Sequence, residues 1–225
     1  SLKPLNTFGI HVVAKKFATI ESEQDLVQAL NTNSSNLLVL GGGSNMLLTK
    51  DVDALVLHIN IKGIEVVSVS ENNVRVRVAA GENWHEFVSW CLEKNYGGVE
   101  NLSLIPGNVG TAPIQNIGAY GAELKDTFVS CEAINIQTQE LRTFTKEACD
   151  FGYRNSIFKE KLKGQYIITS VIFELSSLHH TIKTNYGAIE SELKNNGIES
   201  PTIQDVSEAV ISIRNSKLPN PKVLG

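Results

Sequence analysis

The chain is poor in cysteine, methionine and proline, with three, one and six among its 225 residues. Cys91, Cys131 and Cys149 are an odd number at wide spacing, with no Cys-x-x-Cys pair. That argues against a disulfide framework and against a zinc site. The five histidines (His11, His58, His85, His179 and His180) show no metal spacing, so no metal is expected. Positive charge is not in excess: 20 Lys and Arg stand against 24 Asp and Glu, a net charge of −4. Neither nucleic acid nor an anionic membrane surface is an expected partner. No run approaches the ~18 apolar residues of a membrane span. The opening Ser-Leu-Lys-Pro lacks the basic-then-apolar order of a signal peptide. Internal repeats and low-complexity stretches are also missing. What remains is 42% apolar and 20% charged residues, the profile of a soluble, cytoplasmic α/β protein with one large or two modest domains.

Periodicity places several elements. Residues 22–31 read as a short helix capped by Ser22, with Leu26, Ala29 and Leu30 on one face. Leu37 to Leu40 is a buried strand closed by three glycines, and residues 55–59 form another strand. Val74, Val76 and Val78 alternate with Arg75 and Arg77, which predicts a half-buried strand with a solvated arginine face. Trp84, Phe87, Val88, Cys91 and Leu92 follow the i, i+3, i+4, i+7, i+8 spacing of a helix over residues 83–94. Both tryptophans are expected in packing. Residues 128–144 read as a hairpin turning at 137–140, and residues 165–175 as a strand. A last helix is capped by Thr202, carries Val206, Ala209, Val210 and Ile213 on its apolar face, and ends at Pro219. Residues 101–124 are rich in Gly and Pro, with little periodicity. Long irregular stretches are uncommon in compact domains unless they bind something.

Three segments carry chemistry. Gly41-Gly42-Gly43-Ser44-Asn45 follows an apolar run. Glycines let backbone N–H groups face an anion, and Ser44 adds a hydroxyl donor. A phosphate turn and a sharp loop with positive φ at Gly42 both remain open. The segment is neither a Gly-x-Gly-x-x-Gly fingerprint nor a P-loop. The run from Ile105 to Gly121 mixes permissive glycines with small polar and apolar side chains, a lining for phosphate at one end and a ring at the other. Tyr153-Arg154 offers a phenol and a guanidinium fork to a carboxylate; an isolated pair of this kind also fits a surface arginine beside a half-buried tyrosine.

These segments together resemble the UDP-N-acetylenolpyruvoylglucosamine reductase family, flavoenzymes also called UDP-N-acetylmuramate dehydrogenases. The matching stretches are Asn6-Thr7-Phe8, Gly41 to Asn45, Ala80 to Trp84, Gly98 to Leu124, Tyr153 to Lys159 and Lys217-Leu218-Pro219-x-Pro221-Lys222. They keep the family's order across nearly the whole chain. The run Pro113 to Gly121 is the most specific, and Tyr186-Gly187 is similar to the longer subclass with an added tyrosine loop.

The resemblance implies an α+β, two-domain FAD-binding fold of the vanillyl-alcohol-oxidase type, with a third, substrate-binding domain largely missing. The implied boundaries are 1–63 and 64–218 for the two FAD-binding subdomains, the second including the Tyr186 loop, and 219–225 for the start of the third. FAD and NADPH are the implied cofactors. NADPH reduces the flavin, and the enolpyruvyl ether of UDP-N-acetylglucosamine then accepts a hydride and a proton from a serine. Cofactor contacts are expected from Gly41, Gly42, Gly43, Ser44, Asn45, Gly107, Val109, Gly110, Thr111, Gln115, Asn116, Ile117, Gly118 and Tyr120. Arg154 matches the family's catalytic arginine and Tyr153 the neighbour that would position it. Tyr186 and Lys217 match substrate-binding positions; Lys217 also suits a helix C-terminus as a cation. The family's serine lies in a Gly-Ser-Phe-Phe-Lys-Asn-Pro segment just past the point where this chain stops, at Val223-Leu224-Gly225. The expectation is therefore an N-terminal fragment that holds FAD and does not turn over. Two other readings compete: another oxidoreductase of this flavin fold acting on a small alcohol or sugar, and a non-catalytic FAD- or nucleotide-binding module.

Overall fold

The computed structural model describes residues 1–32 and 36–217, organised by two sheets built from successive stretches of chain. The first stretch contains β1 (Ala14–Ile20), α1 (Glu23–Thr32), β2 (Leu37–Leu40) and β3 (Val52–Ile59). Its three strands pair in parallel in the order β1-β3-β2. Ser22 Oγ accepts the Asp25 N–H at 3.0 Å and starts α1, as the sequence predicts. Leu26 and Leu30 of α1 then pack on Ile20, Leu55, Leu57 and Ile59. The same cluster takes in Ala80, Ile134 and Ile167, which belong to the second stretch. One helix thus shares a core with both halves.

The second stretch supplies β4 (Ile64–Val69), β5 (Asn73–Ala79), α2 (Trp84–Glu93), a small hairpin of β6 (Gly118–Ala119) and β7 (Ala122–Glu123), β8 (Phe128–Asn135), β9 (Leu141–Thr145) and β10 (Tyr166–Ser176). Its large sheet is antiparallel, in the order β4-β5-β10-β8-β9. Val74, Val76 and Val78 face the core, as their alternation requires. Arg75 and Arg77 on the other face are ion-paired rather than merely solvated: Arg75 with Glu174 at 2.7 Å, Arg77 with Glu132 at 2.5 Å across β10. Asn83 caps α2, its Oδ1 accepting the His85 and Glu86 N–H groups at 2.9 and 3.1 Å. Trp84, Phe87, Val88 and Cys91 bury one face of α2, and the rings of Trp84 and Phe87 pack on Phe173 of β10 with centroids 5.9 and 4.9 Å away.

The final pair, α3 (Ile189–Asn195) and α4 (Ile203–Lys217), closes on a cluster of Ile189, Leu193, Val206, Ala209, Val210 and Ile213. Thr202 Oγ1 accepts the Asp205 N–H at 3.2 Å and caps α4. Pro219, the rest of the Lys217-to-Lys222 motif and the expected segment 219–225 lie outside the described residues.

Some expectations need amendment, and β1, β4 and α3 have no counterpart among them. Residues 101–124 are not structureless: one-turn and two-turn 3-10 helices (Glu100–Leu102, Val109–Gln115, Leu124–Asp126) and the β6–β7 hairpin occupy them. The strand read at 55–59 begins at Val52, and the strand Leu37–Leu40 is not buried throughout: Leu40 is, but Val39 is exposed. β1 and β4 were not legible, because most of their side chains are exposed and carry no alternation. Seven-residue α3 is too short to show a period.

The chain crosses from the first sheet to the second at 60–63, and residues 79–82 clasp that crossing. Ala79 N–H donates to Gly63 O at 2.9 Å, Gly81 N–H to Ile61 O at 2.8 Å and Lys62 Nζ to Gly81 O at 2.6 Å. Glu82 Oε1 accepts the Gly63 N–H at 2.7 Å. The other side of the same segment holds the long loop: Gly110 N–H donates to Ala80 O and Val109 N–H to Glu82 O, at 2.9 and 2.8 Å.

Candidate functional site

The two glycine-rich loops meet face to face. A Cβ on Gly41 would lie 2.6 Å from Thr111 Cγ2, and one on Gly42 2.8 Å from Asn108 Oδ1 and 3.0 Å from Gly107 Cα. These approaches leave no space for side chains. The positive φ of the turn falls on Gly43, at +62°, not on Gly42; a Cβ there would sit 2.0 Å from Leu5 O. Gly107 answers from the opposite loop with φ +112°.

Between the loops lies a cavity of about 480 Å³. Gly41 to Met46 form one wall. Asn108, Thr111, Gln115, Ile117, Gly118 and Ala119 form the opposite one, with Trp84, Ile105, Pro106 and Ile114 as apolar lining. Arg154, Lys159 and Arg214 also line it, and among the described residues no carboxylate does. A chain of net charge −4 thus concentrates three cations on one concave surface. The arrangement suits a ligand with an anionic part and a flat apolar part. It matches no metal: among the described residues, no group of three His, Cys, Asp or Glu could hold one.

Arg154 is held by an unusual backbone. Its φ is +52°, its Nη2 donates to Gly118 O at 2.7 Å, and Lys159 Nζ donates to Arg154 O at 2.9 Å. Ser156 Oγ donates to Ile114 O at 2.7 Å, and Asn116 Nδ2 to Gly152 O at 2.9 Å. The Arg154 segment is therefore pinned to the long loop at three points. A positive φ on a non-glycine residue is strained, and such strain collects at functional sites.

Not every expected contact faces the cavity. Val109 is fully buried in the main core, and a Cβ on Gly110 would lie 2.4 Å from Ala80 Cβ. Both are packing positions. Asn116 is buried at φ +42° and spends its amide on Gly152 O and Lys125 N–H. Tyr120 packs on the α3–α4 cluster. Gly107 shapes the turn without lining the cavity. Tyr153 is 86% exposed and outside the lining, so the expected buttress for Arg154 is Gly118 O and Lys159 instead. Tyr186 is exposed and lies against Gly121, whose Cβ would be 3.1 Å from Tyr186 Cβ. Lys217 is exposed at the end of α4, outside the lining.

Trp84, expected only in packing, and Lys159 and Arg214, given no role by the sequence, also line the cavity, while Ile105, Pro106 and Asn108 lie in the run read as a lining. Arg214 left one trace: it follows Val210 by four and Ile213 by one, beside the apolar stripe of α4. Its Nε is buried without a hydrogen-bond partner among the described residues. Arg214 also faces His85, whose imidazole burial, chiefly, and this guanidinium push below the ordinary value.

Residues 14–144 match the family model described as FAD binding domain. Over its whole length the chain is 58% identical to a UDP-N-acetylenolpyruvoylglucosamine reductase of Flavobacterium johnsoniae and 50% identical to one of Amoebophilus asiaticus. It covers 67% of the length of each. Two solved structures share the fold. One is a UDP-N-acetylenolpyruvylglucosamine reductase from Thermus caldophilus, with TM-score 0.71 and 22% identity, matched over 98% of this chain and 70% of that one. The other is a solvent-stable cholesterol oxidase, with TM-score 0.56 and 14% identity, matched over 76% of this chain and 36% of that one.

Proposed function

Because the chain belongs to the UDP-N-acetylenolpyruvoylglucosamine reductase family of FAD-dependent oxidoreductases, we propose that the cavity between its glycine loops holds FAD and that Arg154 receives the substrate's carboxylate there. The observation that carries the reading is the wall of three cations and no carboxylate facing a glycine turn. The residues fit the cofactor on two counts. The Gly41–Gly43 backbone leaves no Cβ between its N–H groups and an anion, and Ser44 and Asn45 add side-chain donors. Trp84, Ile105, Pro106 and Ile114 offer apolar surface for a ring system.

Bound flavin supplies hydride transfer, with NADPH as the reductant and the enolpyruvyl ether of UDP-N-acetylglucosamine as acceptor. The protein's own groups do the rest. Arg154 stays charged at any working pH and presents parallel donors to a carboxylate, so it stabilises negative charge that grows there as the double bond is reduced. Lys159 and Gly118 fix where that fork stands. Arg214 adds a third cation to the lining. Tyr186 and Lys217 serve the nucleotide end of the substrate. Residues 1–63 and 64–218 act as the two FAD-binding subdomains. Cytoplasmic peptidoglycan synthesis fits this chemistry, and no helix among the described residues is long and apolar enough to cross a membrane.

Titration with FAD, followed by stopped-flow mixing, tests the reading. The protein should turn yellow and hold flavin stoichiometrically. Arg154→Lys should leave bleaching of the flavin by NADPH largely unchanged. In a chain that also carries the family's Gly-Ser-Phe-Phe-Lys-Asn-Pro segment, it should slow recovery of flavin absorbance on adding enolpyruvyl substrate by about 10–100-fold, the worth of a charged hydrogen bond of ~1.5–3 kcal/mol. A colourless protein that takes up no FAD refutes the cofactor assignment. Unchanged recovery in the variant refutes the role of Arg154.

A further inference from the structure

The apolar wall of the cavity hangs from one strained turn. Leu104 has φ +58°, costly for a bulky side chain. The next two residues, Ile105 and Pro106, line the cavity. The first turn of α2 grips this stretch twice. Trp84 Nε1 donates to Leu102 O at 2.9 Å, and His85 Nδ1 accepts the Leu104 N–H at 3.1 Å.

An acceptor at Nδ1 puts the single imidazole proton on Nε2. Protonation of Nδ1 would set a donor against the Leu104 donor. It would also create a cation facing Arg214 from α4, at the positive N-terminal end of α2. Glu86, one residue along the same helix, pulls the other way.

We propose that neutral His85 is a positioning residue for the cofactor site: it holds the left-handed turn at Leu104 and so places Ile105 and Pro106 against the flavin. Nothing in the reaction passes through it. Losing its acceptor, by mutation or by acid, loosens the apolar wall and weakens flavin retention. The inference rests on the reading of the cavity as an FAD site, and it extends that reading to a residue outside the lining.

FAD affinity, measured by flavin absorbance from about pH 7.5 down to about pH 5 across the imidazole range, is the test. Wild type should weaken by about 3–10-fold, the worth of one hydrogen bond. His85→Asn places Oδ1 where Nδ1 stood and does not titrate, so it should keep neutral-pH affinity and lose the acid-side weakening. His85→Phe should be weak at both ends. Wild-type affinity and an unchanged pH profile in His85→Phe would overturn the inference. Amide exchange at Leu104 decides the case independently of flavin. The amide should be protected at neutral pH in wild type and His85→Asn, and exposed in His85→Phe and in acid. If wild type binds no FAD at any pH while this exchange pattern holds, the cavity reading fails and the His85 brace stands as a loop anchor only. If the Leu104 amide exchanges alike in all three proteins, the brace itself is refuted.

Discussion

At the scale of single residues, the glycine triplet shows how much of a site a sequence can carry. The residue types announced a turn that could face an anion, and the cavity lies there. Which glycine does what was not legible, since φ and close approach depend on partners distant in sequence. Gly43 carries the positive φ and sits against Leu5, whereas Gly41 and Gly42 are crowded by the second loop. Gly164 provides a control: it has φ +71° with nothing within 4 Å of its would-be Cβ. Gly164→Ala should cost only the backbone strain, about 1–2 kcal/mol. Gly43→Ala should cost clearly more, because Leu5 and the turn must also move, and flavin binding should fall with it. Urea midpoints of the two variants give the comparison, and equal losses would refute the crowding argument. Arg214 was illegible for a related reason. A cation beside an apolar stripe is ordinary on a surface helix, and only the packing of α4 turns it into the cavity.

Among the elements, legibility followed period and burial. β5 and α2 were read correctly because one face of each is buried and the other is not. β1, with Lys15, Lys16 and Thr19 exposed, had no contrast to read. The 3-10 turns of residues 100–126 have no period over so few residues. The cross-strand ion pairs were illegible as well, because strand order sets them: Arg77 meets Glu132 only because β10 lies between β5 and β8. The hydrogen bond from Arg77, aided by the Ser170 hydroxyl, holds the Glu132 carboxyl below its ordinary value despite partial burial. A carboxylate with a depressed pKa stabilises the fold above its ordinary pKa, and that contribution is lost as pH falls through the native value. The Arg77 and Glu132 side chains are still 37% and 26% exposed, so solvent screening limits the pair to about 1 kcal/mol. Arg77→Met should remove that increment at neutral pH and have less effect at a pH low enough to protonate Glu132 in both proteins. Denaturant unfolding at the two pH values checks this; an equal loss at both would assign the effect to packing.

On the scale of the whole molecule, the seam at residues 79–82 joins everything. Its inner edge is hydrogen-bonded to the crossing at 60–63 and its outer edge to the cavity loop at 107–110. Gly81 is closely packed, because a Cβ would come within 2.6 Å of Asn60 backbone atoms. Gly81→Ala should therefore lower stability and flavin affinity together, although no atom of Gly81 lines the cavity. A loss of stability with unchanged FAD affinity would show that the seam and the site are uncoupled. The carboxylate-free wall has a consequence for how fast, rather than how tightly, a ligand arrives. Three cations on a concave face draw anions out of solution over roughly one Debye length, ~10 Å at 0.1 M salt. Loading with FAD should accordingly slow as ionic strength rises, while its dissociation changes less. Phosphate and sulfate should slow loading more than chloride at equal ionic strength, since they compete for the glycine turn itself.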